Sequence, residues 1–381
     1  MRWYEKLFVT ACITTAGLFG GAGYLEYQMQ EREKEIDETN FQETTVTVGE
    51  EHLKQFKNDS LMPIFRDQLT DIFNAMQNSP LGKGLYDIAD AADLPVSYKD
   101  DKAEELSANA YLTFTKDMAY MGYSYDMITS STHSGAETTS HEFFHFFQYL
   151  NNAELMIGRS NDSFADKALE LLVSEAAAAT VGSIVLHQLE MSEQENVYRL
   201  LLTSDDRYNL ERYTEFFDKY KDTHTTEDAT ILAAQDVMRH RLTGDVLYDS
   251  WRTSYAKRLY KYENPDYTGK EEGEDKIADS VIFATLADAL KNKRQIVNNP
   301  LSALEGLTLL PSGKSIMPTD ITAEQIMDAA ENSAYELMET YQLHEDKEAL
   351  ENKGKDATSQ PPANDTNAQL QSSKRMNKRS L

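Results

Sequence analysis

The feature that most constrains this chain is the five-residue run His141-Glu142-Phe143-Phe144-His145, an H-E-x-x-H pattern inside a stretch that favours helix. Four residues make about one helical turn, so both imidazoles lie on one face and can reach a single metal ion. Glu142 then lies close to a metal-bound water and can accept its proton. The pattern predicts a helix that binds zinc and carries a general base.

The residues around the motif favour a buried helix. Every non-motif position in residues 138–147 is uncharged, and none is Gly or Pro. Burying two histidines and a glutamate among so many aromatic residues costs roughly several kcal/mol unless these groups are hydrogen-bonded or bind a metal. A bound metal removes that cost. The alternative interpretation is a pair of core histidines with an ion-paired glutamate on an aromatic helix.

Two histidines do not complete a catalytic zinc site, which usually has three protein ligands and one water. The longer motif of the metzincins would require Gly at position 148 and His at position 151. This chain has Gln148 and Asn151 instead. We therefore expect the third ligand to be a carboxylate further along the chain.

A second long helix is predicted over residues 165–182, and Glu175 lies in its middle. The four alanines at 176–179 and Gly182 would let this helix approach another one closely. A buried carboxylate without a partner would be costly at this position. Glu175 is therefore the predicted third ligand, and the alternative is a glutamate on the helix surface or in an ion pair. Two lesser candidates are Glu170 and Glu154.

His141, Glu142 and His145, with a glutamate on a following helix, resemble the gluzincins, the thermolysin-like branch of the zincin metallopeptidases. The order Ser-His-Glu-x-x-His-x-x-Gln before a Glu-Ala-x-Ala helix is also similar to an uncharacterised bacterial metallopeptidase family, over residues 81–261. The resemblance implies a zincin-like core that binds Zn²⁺ through His141, His145 and Glu175, with Glu142 as catalytic base. It implies hydrolysis of peptide bonds in proteins or peptides.

One position departs from the thermolysin-like pattern, because Ala179 stands where those enzymes have an Asp four residues after the ligand glutamate. The alternative function is therefore a membrane-tethered binding or assembly protein whose zincin-like site is inactive or structural. A hydrolase would also need a donor to the developing oxyanion. The later segments offer five candidates for that donor: Tyr248, Tyr255, His240, His187 and Arg252.

Residues 1–25 predict a membrane anchor, because Arg2 and Lys6 precede an apolar run of about the length that spans a bilayer. The residues that follow, a charged juxtamembrane linker over 26–45, are rich in acidic side chains, which predicts an extracytoplasmic body. A cut near residues 20–22 would make this segment a signal peptide and the protein secreted. The alternative is a buried helix of the globular domain.

The net charge of −27 argues against a nucleic-acid partner, because binding a polyanion requires a basic face. Residues 346–381 form a polar tail with a basic end, which composition predicts to be disordered. The predicted partners are a protein or peptide substrate and, through the N-terminal segment, a membrane. No oligomeric state is predicted.

The pattern of apolar residues predicts an α+β fold that is mostly α-helical. The resemblance to the zincins implies that residues 46–345 form one zincin-like metallopeptidase domain. Strands are predicted at 94–98, 111–114 and 123–129, which would form a small β-sheet upstream of the motif helix. We expect 123–129 to be an edge strand that could hold a substrate backbone. The last helix is predicted over 322–343.

Overall fold

The computed structural model describes thirteen ranges and single residues: 45–48, 62–98, 110–114, 119–123, 131–157, 163–192, 202, 204–244, 256–257, 259–261, 264, 277–293 and 301–359. The predicted anchor at 1–25 lies outside these residues, as does the linker up to residue 44. Structural statements below concern the described residues.

Helices dominate the described chain. They are α1 (Met62–Gln77), α2 (Pro80–Ala91), α3 (Thr132–Ile157), α4 (Phe164–Ser192), α5 (Ser204–Tyr220), α6 (Thr226–Thr243), α7 (Asp279–Lys293), a 3₁₀ helix (Leu301–Thr308) and α8 (Ala323–Ser359). With one small sheet, the protein has the mostly helical α+β fold that the sequence predicts. Helix α8 continues well past its predicted end at residue 343, so residues 346–359 of the predicted tail are helical.

The sheet contains β1 (Thr45–Thr47), β2 (Pro95–Tyr98), β3 (Ala110–Phe114) and β4 (Ala119–Tyr123) in the order β1-β2-β4-β3. Strand β4 runs parallel to β2 and antiparallel to β3. The predictions of β2 and β3 are confirmed to within one residue.

The third predicted strand, 123–129, shares only Tyr123 with β4, and the preceding part of β4 was not predicted. Strand β4 ends at Tyr123, where the predicted strand begins, and residues 124–129 lie outside the described chain. The sequence does not indicate a strand at 119–123, because it contains Gly122 and a glycine inside a strand normally weakens it. Here a Cβ at Gly122 would overlap the ring of Tyr111 on β3, so the missing side chain makes room for this cross-strand contact. Strand β4 is central, and among the described strands the outer ones are β1 and β3.

Helices α3 and α4 form an antiparallel hairpin at the centre of the protein. Glu137 lies against Gly182, His145 against Glu175, and Gln148 against Ser174, so partners advance in opposite directions along the two helices. Helix α4 is also long and apolar enough to cross a membrane, but 83% of its apolar window is buried inside the protein. Such burial is typical of the core helix of a globular domain.

The 3₁₀ helix packs against both helices of this hairpin. Helix α3 is interrupted at Asn152 (φ −145°, ψ 54°), and a Cβ at Gly306 of the 3₁₀ helix would overlap the Asn152 amide. One turn earlier on α3, the Gln148 side chain donates a hydrogen bond to the Leu307 carbonyl oxygen at 2.6 Å. A segment more than a hundred residues downstream therefore packs directly against the helix that carries the motif.

Candidate metal centre

The structure brings His141, His145 and Glu175 together. Their potential ligand atoms all lie within 4.8 Å of one another. The nearest atoms are closer still: the two Nε2 atoms are 3.1 Å apart, Glu175 Oε2 lies 3.5 Å from His141 Nε2, and Glu175 Oε1 lies 3.4 Å from His145 Nε2. The carboxylate thus faces both rings, and the three predicted ligands form one cluster, called the triad below.

Helix geometry explains how these side chains converge. His141 and His145 are one turn apart on α3, and their ring centroids are 4.8 Å apart with an interplanar angle of 78°. Helix α4 approaches closely because small residues line it. Ala176, Ala177 and Ala178 are fully buried, and Gly182 makes room for the side chain of Glu137. The close helix packing expected from the alanines and Gly182 is what the structure has.

The triad is largely withdrawn from solvent, with side-chain exposures of 14% for His141, 9% for His145 and 12% for Glu175. Burial favours a neutral His145, but the Glu175 carboxylate outweighs burial and raises the pKa of His145 to about 9. Burial likewise opposes ionisation of Glu175, but the charge of His145 outweighs it and holds the pKa of Glu175 well below its usual value. Without a metal ion, the two groups therefore form a buried ion pair.

The arrangement fits a tetrahedral metal ion. Ligand atoms bound to zinc at 2.0–2.2 Å are about 3.3–3.6 Å apart around a tetrahedron. In the triad the two imidazole nitrogens are 3.1 Å apart, and each lies 3.4–3.5 Å from a different oxygen of the Glu175 carboxylate. Two imidazole nitrogens and one carboxylate oxygen are also ligands that zinc accepts. A metal ion would moreover compensate the carboxylate charge, which a proton on His145 otherwise has to balance.

Glu142 stands beside the triad without belonging to it. The residue is half-buried, and its charge adds to the raised pKa values of His145 and Tyr123, so it is electrostatically close to both. The Tyr123 hydroxyl lies 3.1 Å from Thr139 Oγ1. Burial is the main reason that the pKa of Tyr123 is raised, and the phenol stays neutral at physiological pH.

Sequence reasoning missed the polar groups behind His145. Its Nδ1 lies 2.8 Å from Gln148 Oε1, and Ser174 Oγ donates a hydrogen bond to the same oxygen at 2.9 Å. The Gln148 amide nitrogen donates to the carbonyl oxygen of Leu307. The signal available in the sequence was the polar Gln148 three residues after His145, among otherwise apolar neighbours.

The remaining candidate residues stand apart from the triad. Glu170 is buried on α4 but is not in the metal-ligating group found among the described residues, and the side chain of Glu154 lies outside the described part of the structure. His187 is about 18 Å further along α4 than Glu175, at 1.5 Å per residue, so it cannot serve as the predicted oxyanion donor. It packs against Tyr213 and Phe217 instead.

Of the other predicted oxyanion donors, only His240 lies within the described chain. Its ring lies against Gly244 at the end of α6, and it is not in the metal-ligating group found among the described residues. Tyr248, Arg252 and Tyr255 lie outside the described residues.

The resemblance to zincin metallopeptidases rests on the motif residues themselves. A comparison of the chain with protein-family models, with curated proteins and with solved structures gives no match in any of the three.

Proposed function

We propose that this chain is a zinc-dependent metallopeptidase with a zincin-like catalytic core. The observation that carries the proposal is the convergence of His141, His145 and Glu175 from two helices, with Glu142 next to them and outside the triad. A purely structural zinc site is normally closed by four protein ligands. Three ligands and an adjacent carboxylate are instead the composition of a site that keeps one position for water.

The donor set favours zinc over the other common divalent ions. Magnesium and calcium prefer sites made of oxygen ligands, whereas imidazole nitrogen suits zinc and its transition-metal neighbours. Two of the three triad donors are imidazole nitrogens. We therefore propose Zn²⁺ as the resident cofactor, held by His141, His145 and Glu175.

The chemistry divides between the metal and the protein. A zinc ion lowers the pKa of a bound water to about 7 and polarises a carbonyl oxygen. Glu142 accepts the proton of the attacking water and passes it to the leaving amine. His145 takes part in its neutral form, with Nε2 facing the triad and Nδ1 directed to Gln148. Tyr123 is fully buried and bonded to Thr139, so it does not serve as proton donor.

A peptide is the proposed substrate because the sheet offers an edge close to the motif helix. Strand β3 is an outer strand among those described, and Ala110 at its start pairs with Tyr123. Tyr123 contacts Thr139, which precedes His141 by about half a turn of α3. An extended peptide that adds to an exposed strand edge gains main-chain hydrogen bonds without a fixed sequence. The edge role expected for residues 123–129 is therefore proposed for β3.

The proposed location of this activity is outside the cytoplasm, at a membrane. The proposal rests on the apolar run and flanking charges in residues 1–25. In cells, the full-length protein should stay with membranes during alkaline carbonate washing, and its body should be accessible to protease added from the outer side. Recovery in the wash supernatant, or protection from that protease, would contradict the proposed anchor and orientation.

The direct test measures metal content and peptide hydrolysis on the purified full-length protein. Wild type and Glu142→Gln should each contain about one zinc per chain, whereas His145→Ala and Glu175→Ala should contain little. Glu142→Gln should lower hydrolysis of a peptide library about 10²–10⁴-fold, the usual contribution of a general base. Glu170→Gln is the matched control, because it changes another buried glutamate of α4 that lies outside the triad and should keep both zinc and activity.

The outcomes separate the possible functions. A wild type that takes up no zinc even after reconstitution contradicts the proposal. A wild type that binds zinc through the triad but whose peptide hydrolysis is unaffected by Glu142→Gln favours the alternative, a binding or assembly protein with a structural site.

A further inference from the structure

Gln148 connects His145 to the body of the protein. Its Oε1 lies 2.8 Å from His145 Nδ1 and accepts a hydrogen bond from Ser174 Oγ at 2.9 Å. Its Nε2 donates to the Leu307 carbonyl oxygen at 2.6 Å and lies 3.4 Å from the Ser174 carbonyl oxygen. One amide thus joins α3, α4 and the 3₁₀ helix directly behind a predicted metal ligand.

The orientation of this amide is determined by its surroundings. Two carbonyl oxygens can only accept hydrogen bonds, so the side of Gln148 that faces Leu307 and Ser174 O must be the NH₂ group. The amide oxygen therefore faces His145, and an amide oxygen can only accept. His145 consequently carries a hydrogen on Nδ1. In the neutral ring, this leaves the lone pair on Nε2, which lies beside His141 and Glu175.

The setting makes this orientation rigid. Gln148 is fully buried, Ser174 and Leu307 are nearly so, and neither amide atom can turn away without leaving a buried polar group without its partner. The amide is also neutral. It can therefore hold the Nδ1 hydrogen without drawing a proton onto the ring as strongly as a carboxylate in the same place would.

We propose that Gln148 is a positioning residue for metal binding, which holds the His145 ring and its tautomer through the Leu307 carbonyl of the 3₁₀ helix. The proposal rests on the proposed zinc site and deepens it, since it assigns the support of one ligand to a segment far along the chain. Outer contacts of this kind typically change metal affinity 10–100-fold when they are removed.

Three single variants of the full-length protein test this role. Gln148→Leu removes both the acceptor for His145 and the donor to Leu307. Gln148→Glu keeps an acceptor for His145 but loses the amide donor. Asn152→Ala is the matched control, because Asn152 also packs against the 3₁₀ helix, at Gly306, and lies one turn away from Gln148 on the side away from His145.

The measurements are zinc affinity by competition with a chromophoric chelator, the visible spectrum of the Co²⁺-loaded protein, and thermal unfolding of the metal-free protein. Gln148→Leu should lower zinc affinity about 10–100-fold and alter the Co²⁺ spectrum. Gln148→Glu should keep the affinity within about tenfold of wild type and clearly above that of Gln148→Leu. Asn152→Ala should lower only the unfolding temperature.

The role of Gln148 is overturned if Gln148→Leu binds zinc as tightly as a zinc-binding wild type. It is also overturned if Asn152→Ala weakens zinc binding as much as Gln148→Leu, since any loosening of the 3₁₀ helix would then suffice. A wild type that binds no zinc overturns the zinc site itself, and with it the role of Gln148. The affinity of the wild type thus distinguishes a failure of the proposed function from a failure of this inference.

Discussion

Gly182 offers a direct test of the claim that close packing of α3 and α4 builds the triad. A Cβ at this position would overlap Glu137 Oε1 and would lie 3.0 Å from its Cδ and 3.1 Å from its Cγ. The Glu137 carboxylate must therefore turn away when Gly182 is replaced by Ala, and its Cδ and Cγ must shift by a few tenths of an ångström. Overpacking of this kind costs about 1–3 kcal/mol, whereas Gly→Ala inside a helix gains up to about 1 kcal/mol. We expect a net destabilisation of about 1 kcal/mol from these two values.

Comparing Gly182→Ala in the wild-type protein and in a Glu137→Ala protein tests this reasoning. In a Glu137→Ala protein the overlapping atoms are gone, so Gly182→Ala should now stabilise by up to about 1 kcal/mol, the helix-propensity gain alone. Urea unfolding of wild type, both single variants and the double variant measures this reversal of sign as a coupling free energy. Zinc affinity should fall in Gly182→Ala and recover in the double variant. An equal destabilisation in both backgrounds would refute the packing argument.

Three further predictions concern the charge of His145, the stabilisation of the fold by zinc, and the hydrogen bonds of Gln188 at the start of α2. Because the pKa of His145 is about 9 in the folded protein and near 6.5 in the unfolded chain, the stabilisation from its protonated form is complete below pH 6.5 and is lost as the pH rises through 9. Urea unfolding of the metal-free wild type should show a loss of about 3 kcal/mol over that range, at 1.36 kcal/mol per unit, and His145→Ala should lack it. Zinc at 100 times its Kd should stabilise wild type by about 2.7 kcal/mol and leave Glu175→Ala unchanged in differential scanning fluorimetry. Gln188→Leu should destabilise by about 1–3 kcal/mol without changing zinc affinity, because its oxygen accepts from Ser79 Oγ and the Leu81 amide at the start of α2.

Much of the candidate site could be predicted because its determinants are local. The pairing of His141 and His145 follows from one helical turn, and Glu175 stands out because small residues surround it on a helix that must be buried. Helix content was predictable for the same reason, since periodicity is visible within a short window. The register of Glu175 against the two histidines agrees with these local patterns.

What could not be predicted depends on residues far apart in the sequence. Gln148 and Leu307 are separated by 159 positions, and nothing in either neighbourhood indicates that they meet. The position of β4 was missed because Gly122 weakens the strand pattern, and only the ring of Tyr111 on another strand explains it.

The 3₁₀ helix also has a consequence for the order in which the protein is made. The triad residues leave the ribosome long before Leu307, whose carbonyl is 132 positions after Glu175. A nascent chain that stops before residue 301 already contains all three triad residues, but it lacks the carbonyl that fixes the Gln148 amide. Domains generally fold from the N-terminus during synthesis. If Gln148 has the proposed role, the support for His145 is therefore complete only when most of the chain has been translated.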